Sequence, residues 1–271
     1  MITKIVVPLD HHDDAEDAVL HGAALARQAG ARLQLMSVRP SYVDAVSMHD
    51  RLVEIADRLR VDAELAVVGP DDVTATLAEV AAEPGTVLCL RTHARGPIAE
   101  MTLGSVSEQV VRTTHDPVLL VGPHCDPAPE RYGSMVVGLD GSPLAEQILP
   151  VVAAWSTQLD LTPWLFQALS PRVPLEVGDD VSESGYVRNI AAQLADKQVK
   201  AEWETAHDRD AAMAIVRFAD QVPTALIALT THGRSGLGRI ALGGTAFRVA
   251  HRAHSPVLVL RPAPQGTGTT E

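Results

Sequence analysis

A chain of 271 residues with 46% hydrophobic content carries enough apolar material for two cores of ordinary size. Its formal net charge of −12, with no basic run to offset it, argues against the phosphate backbone of nucleic acid and the anionic face of a membrane as partners. No run of about 18 apolar residues offers a membrane span, and Met1-Ile2-Thr3-Lys4-Ile5 leads straight into a strand without the basic and apolar regions of a leader, so a cytoplasmic protein is expected.

In chain order, Ile5 to Leu9 reads as a buried strand. Asp13 to Gly30 reads as a helix, with Ala18, Ala23, Leu25, Ala26 and Ala29 at helical spacing and Gly30 as its stop. Arg32 to Val38 is a second strand, Tyr42 to Leu59 a helix, Val61 to Val68 an alternating strand, and Asp72 to Ala82 a short amphipathic helix before the strand Thr86 to Leu90. After a long loop, Ser105 to Thr113 is helical, with Ser105-x-x-Glu108 in the pattern of a capping box, and Val118 to Val121 is a strand. Cys89 lies in an apolar run and reads as a small packed hydrophobe; two cysteines make no disulfide framework or metal site. Only 3% of the chain is aromatic, so Val, Leu, Ile and Ala must build the core, as in parallel sheets covered by helices.

Residues 122 to 129 carry Pro123, Pro127 and Pro129 and read as a linker, because beyond it the chain repeats itself. Val6-Val7-Pro8-Leu9-Asp10 returns as Val136-Val137-Gly138-Leu139-Asp140. Thr92-His93 with Leu103-Gly104 returns as Thr231-His232 with Leu242-Gly243, and His115-Asp116-Pro117-Val118 as His254-Ser255-Pro256-Val257. Asp10 to Asp140 is 130 positions and His93 to His232 is 139, which places an insertion in the second copy, in the Pro- and Gly-bearing stretch Ser170 to Ser184. The expected domains are residues 1–124 and 132–262, with a small, polar, disordered tail at 263–271.

Open parallel sheets bind ligands outside the carboxyl ends of their strands, which directs attention to the loop after the fourth strand. In the second copy that loop runs from Thr230 to Thr245 with five glycines, Gly233, Gly236, Gly238, Gly243 and Gly244, and leads into a helix from Ala246 to Ala253. Glycines let backbone N–H groups approach an anion, and a helix start adds unpaired donors with partial positive charge. The alternative is a plain flexible loop closed by a capped helix. The segment is not a P-loop, since no Gly-Lys-Ser/Thr is present, and it lacks dinucleotide spacing. Asp140-Gly141-Ser142-Pro143 is also a good helix start, with Pro at the first position, so Asp140 has a capping role open to it. His93 and His232 read as loop-lining residues and no catalytic set is assigned.

The strand ending in Asp, the G-x-x-G, nine residues, G-S/T pattern of the loop, and the closing Ser/Asp-Pro-Val-Leu-Val strand together resemble the universal stress protein family in its tandem form. The resemblance covers both copies and nearly the whole chain. It implies an α/β fold of two five-stranded parallel-sheet domains, adenine nucleotide alpha hydrolase-like and Rossmann-like. The two would pair as an intramolecular pseudo-dimer by joining Val118 to Val121 with Val257 to Leu260. It further implies a stress-response regulator that binds an adenine nucleotide, ATP with Mg²⁺, although the family also holds members that bind none.

Carried over position by position, the resemblance implies a second-copy site of Gly138, Leu139, Asp140, Ala168, Thr230, His232, Gly233, Arg234, Gly243, Gly244 and Thr245. The first-copy set is Pro8, Leu9, Asp10, Val38, Arg91, His93, Gly104 and Ser105. Both depart from the pattern: Thr230 stands where the first Gly is expected and Gly244 where Ser/Thr is, while Arg91 and Ala94 replace the opening pair of the first copy and Gly104-Ser105 keep its closing pair. Arg91 either clamps a phosphate or fills the pocket and pairs with a carboxylate such as Asp10. The second copy is therefore the expected binder. The alternatives are an interaction module with degenerate sites, docking a protein partner or a second tandem chain, and a slow ATPase or phosphotransfer enzyme.

Overall fold

The computed structural model describes residues 1–10, 15–38, 44–69, 72–92, 105–170, 184–231 and 243–263. The first copy runs β1 (Lys4–Pro8), α1 (Glu16–Ala29), β2 (Arg32–Val38), α2 (Ala45–Leu59), β3 (Glu64–Val68), α3 (Val73–Ala81), β4 (Thr86–Arg91), α4 (Ser105–Thr113) and β5 (Val118–Val121). The second runs β6 (Ser134–Gly138), α5 (Pro143–Glu146), α6 (Leu149–Leu159), β7 (Thr162–Leu169), α7 (Gly185–Ala195), β8 (Glu202–His207), α8 (Ala211–Ala219), β9 (Ala225–Thr230), α9 (Gly244–Arg252) and β10 (Val257–Leu260).

All ten strands form one sheet in the order β3-β2-β1-β4-β5-β10-β9-β6-β7-β8. Neighbours are parallel except at the centre, where β10 pairs antiparallel with β5, setting Leu258 opposite Leu119. The joining of the closing strands read from the sequence is thus present, and the two copies meet without leaving either closing strand as an open edge. Successive strand residues point to opposite faces. Ile5, Val7, Leu119, Val137 and Leu258 enter a core under α1, α2, α6 and α7, whereas Val6, Val118, Leu120, Val136 and Val257 enter one under α3, α4, α8 and α9. Each core runs through both copies.

Several boundaries differ from the sequence reading, each for a local reason. The third strand begins at Glu64, not Val61, because the Val61 N–H turns back to the Ala56 carbonyl to close α2. The first helix of the second copy is split, and its break follows from Pro150, whose ring nitrogen cannot donate to the carbonyl of Glu146, where α5 ends. Ser105 is the first residue inside α4, so Ser105-x-x-Glu108 is one position out of register for a capping box. The core also admits aromatic residues: Tyr132, Trp155 and Phe166 are buried. Cys89 is fully buried, its thiol donating to the Ala18 carbonyl at 3.4 Å and driven well up from its ordinary pKa by burial, as expected of a packed thiol. Ala263, assigned to the tail, exchanges two hydrogen bonds with the Gln147 side chain, and the rest of the tail, 264–271, lies outside the described residues, as do 171–183 of the inserted stretch.

The copies clasp each other by a repeated device. Gln28 of α1 donates to the Tyr132 and Leu159 carbonyls at 2.8 and 2.6 Å and accepts from the Tyr132 N–H at 2.8 Å. Gln158 of α6 does the same to Ile2 and Ala29, at 2.7, 3.1 and 2.7 Å. Each residue in one set lies 130 positions from its counterpart in the other, the offset of the sequence repeat.

Candidate nucleotide site

The carboxyl ends of β6, β7 and β9, with the starts of α8 and α9, enclose a crevice of about 470 Å³. Parallel strands send their chain ends to the same side, and the helices that follow return over the sheet, leaving a cleft at that rim. Its floor is apolar: Ile215 of α8 and Leu229 of β9 approach Gly138 so closely that a Cβ there would stand 2.4 Å from a Leu229 methyl. A side chain at 138 would thus displace the crevice floor.

One wall is the turn after β6. Asp140 Oδ1 accepts from the Ser142 N–H and hydroxyl at 2.9 and 2.6 Å, and the Ser142 hydroxyl oxygen in turn accepts from the Ala145 N–H at 3.2 Å. Gly141, at φ +79°, permits the reversal between them. Ser142 is therefore the cap of α5, Pro143 holds the first helical position, and Asp140 supports the cap while still lining the crevice.

The opposite wall is the start of α9. This helix begins at Gly244, two residues before the Ala246 start read from the sequence. The Gly243 N–H is tied to the Thr231 carbonyl at 2.6 Å, and the Phe247 N–H is the first to reach back, to the Gly243 carbonyl at 3.0 Å. The N–H groups of Gly244, Thr245 and Ala246 precede any intrahelical acceptor, and the dipole adds partial positive charge there. This rim is chemically suited to an anion.

Of the second-copy residues read from the sequence, Gly138, Leu139, Asp140, Ala168, Thr230, Gly243, Gly244 and Thr245 line this single crevice. His232, Gly233 and Arg234 lie outside the described residues. The sequence reading missed Ala145, Ala211, Ile215, Leu229, Thr231, Ala246 and Arg248. A signal existed for Arg248, which stands four positions after Gly244 and so shares its helix face. Ile215 and Ala211 come from a helix far along the chain and left no such trace. Asp210 caps α8, accepting from the Met213 N–H at 3.2 Å, and pairs with the Arg248 guanidinium, which holds its carboxyl below the usual range.

In the first copy, Pro8, Leu9 and Asp10 stand at the end of β1, Val38 ends β2, Arg91 ends β4 and Ser105 begins α4. They occupy the equivalent rim of their own copy, which lies at the opposite end of the sheet because β5 and β10 run antiparallel. Arg91 places its Nε 3.4 Å from an Asp17 carboxylate oxygen of α1. His93, Ala94 and Gly104 lie outside the described residues.

A second cavity, also about 470 Å³, lies between the inter-copy linker and the beginnings of β9 and β10, where Asp220 meets His254 at 3.1 Å. It sits at the amino ends of those strands, away from the rim where parallel sheets place ligands, and holds none of the candidate binding residues named from the sequence. Among the described residues, no group of three or more His, Cys, Asp and Glu side chains is placed to hold a metal ion, and no helix is long and apolar enough to cross a membrane.

Comparison with known proteins matches residues 1–122 and 131–261 to the universal stress protein family. A universal stress protein of Mycobacterium tuberculosis is 29% identical over 242 residues, covering 82% of this chain and 76% of that one. Among solved structures, a universal stress protein from Archaeoglobus fulgidus superposes with a TM-score of 0.64 at 16% identity, covering 96% of this chain and 98% of that one. A functionally unknown protein from Pseudomonas aeruginosa gives 0.64 at 20%, covering 96% and 93%.

Proposed function

The chain is a tandem member of the universal stress protein family, and we propose that its second copy binds an adenine nucleotide, ATP, and that occupancy acts as a regulatory signal. The observation that carries this reading is that eight residues implied by the family resemblance, spread from Gly138 to Thr245, line one crevice of about 470 Å³. That volume is in the range of small-molecule sites, roughly 300–1,000 Å³. The α9 N–H groups receive the phosphates, with Mg²⁺ accompanying them, and the base lies toward Asp140 and Ala168. The domains are residues 1–124 and 132–262, the setting is cytoplasmic, and hydrolysis is slow at most, since among the described lining residues no side chain is assigned as a dedicated base.

Thermal shift and native mass spectrometry of the purified chain with ATP and Mg²⁺ test the reading. Stabilisation or co-purified nucleotide is expected. Gly243 has φ −56° and ψ 147°, which any residue adopts, so Gly243→Val is expected to fold and to lose binding through its side chain. Gly104→Val is expected to matter less. Absence of binding in the parent chain defeats the proposal, and equal loss in both variants defeats the ranking of the copies.

A second reading has its own observation. With Arg91 paired to Asp17, the first copy carries a side chain at the rim where the family pattern has glycine. That copy fits a docking module better than a nucleotide site.

A further inference from the structure

We propose that Arg248 is the residue by which the second-copy crevice distinguishes nucleoside polyphosphates from monophosphates, and that Asp210 holds it in waiting until a polyphosphate arrives. This rests on the reading of the crevice as an adenine nucleotide site. Among the described lining residues the only charged side chains are Asp140 and Arg248, so Arg248 is the only cation. It stands one helical turn beyond Gly244, and helical side chains lean toward the amino terminus, which directs the guanidinium over the turn that carries the three unpaired N–H groups.

Those N–H groups suit one phosphate. A second or third phosphate adds negative charge that they cannot match, and a guanidinium supplies paired donors with full charge. Arg248 pairs with Asp210, and both side chains are partly exposed, at 45% and 34%. Such a half-solvated pair is weakly held and can be exchanged for a better anion.

The first copy provides the contrast. There Asp72 caps α3 as Asp210 caps α8, but the position matching Arg248 is Gln109, whose Oε1 accepts from the Thr74 hydroxyl at 2.7 Å. The same scaffold thus carries a neutral amide in one copy and a cation in the other. A helix cap alone needs no arginine opposite it, as Asp72 demonstrates.

The test is calorimetric titration of the full chain with ATP and with AMP, in the parent, Arg248→Gln and Asp210→Asn, together with thermal shift in inorganic tripolyphosphate. Arg248→Gln installs the first-copy residue and is expected to weaken ATP on the order of ten- to hundredfold while changing AMP much less. Asp210→Asn keeps a capping oxygen, frees the guanidinium and is expected to tighten ATP. Equal weakening of ATP and AMP by Arg248→Gln, or of neither, overturns the proposal while leaving nucleotide binding intact. If the parent binds no adenine nucleotide, the reading of the site fails. The polyphosphate role then stands only if tripolyphosphate stabilises the parent and not Arg248→Gln, and it falls if tripolyphosphate acts on neither or on both alike.

Discussion

At the scale of single residues, the departures from the family pattern are the informative positions. Thr230 stands where a glycine was expected, and it is a buried strand end whose chain continues to Thr231, which anchors Gly243 through its carbonyl. Gly244 stands where Ser or Thr was expected, and a Cβ built there meets nothing within 4 Å. The missing side chain is therefore not enforced by packing, and the first copy carries Ser105 at the matching place. Gly244→Ser is expected to leave stability unchanged or raise it by up to about 0.5 kcal/mol, since glycine is the poorer helix former. A hydroxyl at the anion-facing turn is expected to tighten ATP by up to about tenfold, through one added hydrogen bond to a charged group. Melting curves and calorimetry read the two effects separately, and weaker ATP binding at an unchanged melting temperature would show instead that bare backbone is what the phosphate requires.

At the scale of elements, the seam between β5 and β10 makes two copies into one sheet. Leu119 and Leu258 face each other across it, both fully buried in the core under α1 and α6. Either residue changed to Ala is expected to cost about 2–5 kcal/mol, and the pair changed together is expected to be non-additive by about 0.5–3 kcal/mol. Urea unfolding of the two single variants and the double variant measures this, and strict additivity would mean that the two side chains do not share a cavity. This seam was anticipated because His-Asp-Pro-Val and His-Ser-Pro-Val mark two short apolar strands as copies, and the family resemblance implies that such copies pair edge to edge. The four-residue strands and β2 match their expected bounds because breakers bracket them in the sequence, Pro117 and Gly122 around β5, Pro256 before β10, and Gly30 and Pro40 around β2. The start of α9 was not legible, since Gly243 and Gly244 read as loop by propensity, whereas Gly243 is the cap, tied to the Thr231 carbonyl, and Gly244 opens the helix. Likewise Leu229 and Ile215 belong to the crevice through the crossing of β9 and α8 beneath Gly138, a contact that no local pattern records.

At the scale of the whole molecule, the union of the copies depends on buried polar groups. Beside the Gln28 and Gln158 clasps, His21 of α1 is 1% exposed and is held on both ring nitrogens, Nδ1 2.6 Å from the Tyr132 hydroxyl and Nε2 3.0 Å from the Asp126 carbonyl. A carbonyl only accepts, so Nε2 carries the proton, the neutral ring accepts at Nδ1, and the Tyr132 hydroxyl donates. Burial lowers the His21 pKa from its ordinary 6.5, outweighing the raising effects of the Asp126 hydrogen bond and the Asp17 and Asp126 charges, and burial raises that of Tyr132, so both groups stay neutral in the folded chain. The unfolded chain then binds the extra proton more readily. Stability from this group is present above pH 6.5 and is lost as pH falls below it, in the direction set by proton uptake on unfolding. Denaturant unfolding between pH 8 and about pH 5 is expected to show a declining free energy in the parent chain. His21→Gln is expected to be less stable at pH 8, because the fitted ring is lost, and to decline less steeply. Parallel pH profiles for the two chains would remove His21 from the account and place the acid sensitivity elsewhere. Tyr132→Phe separates packing from hydrogen bonding at the same joint: it keeps the ring, leaves Nδ1 without its donor, and is expected to cost about 1–3 kcal/mol at pH 8. Its pH profile should still decline towards acid, because the burial that lowers the His21 pKa is kept.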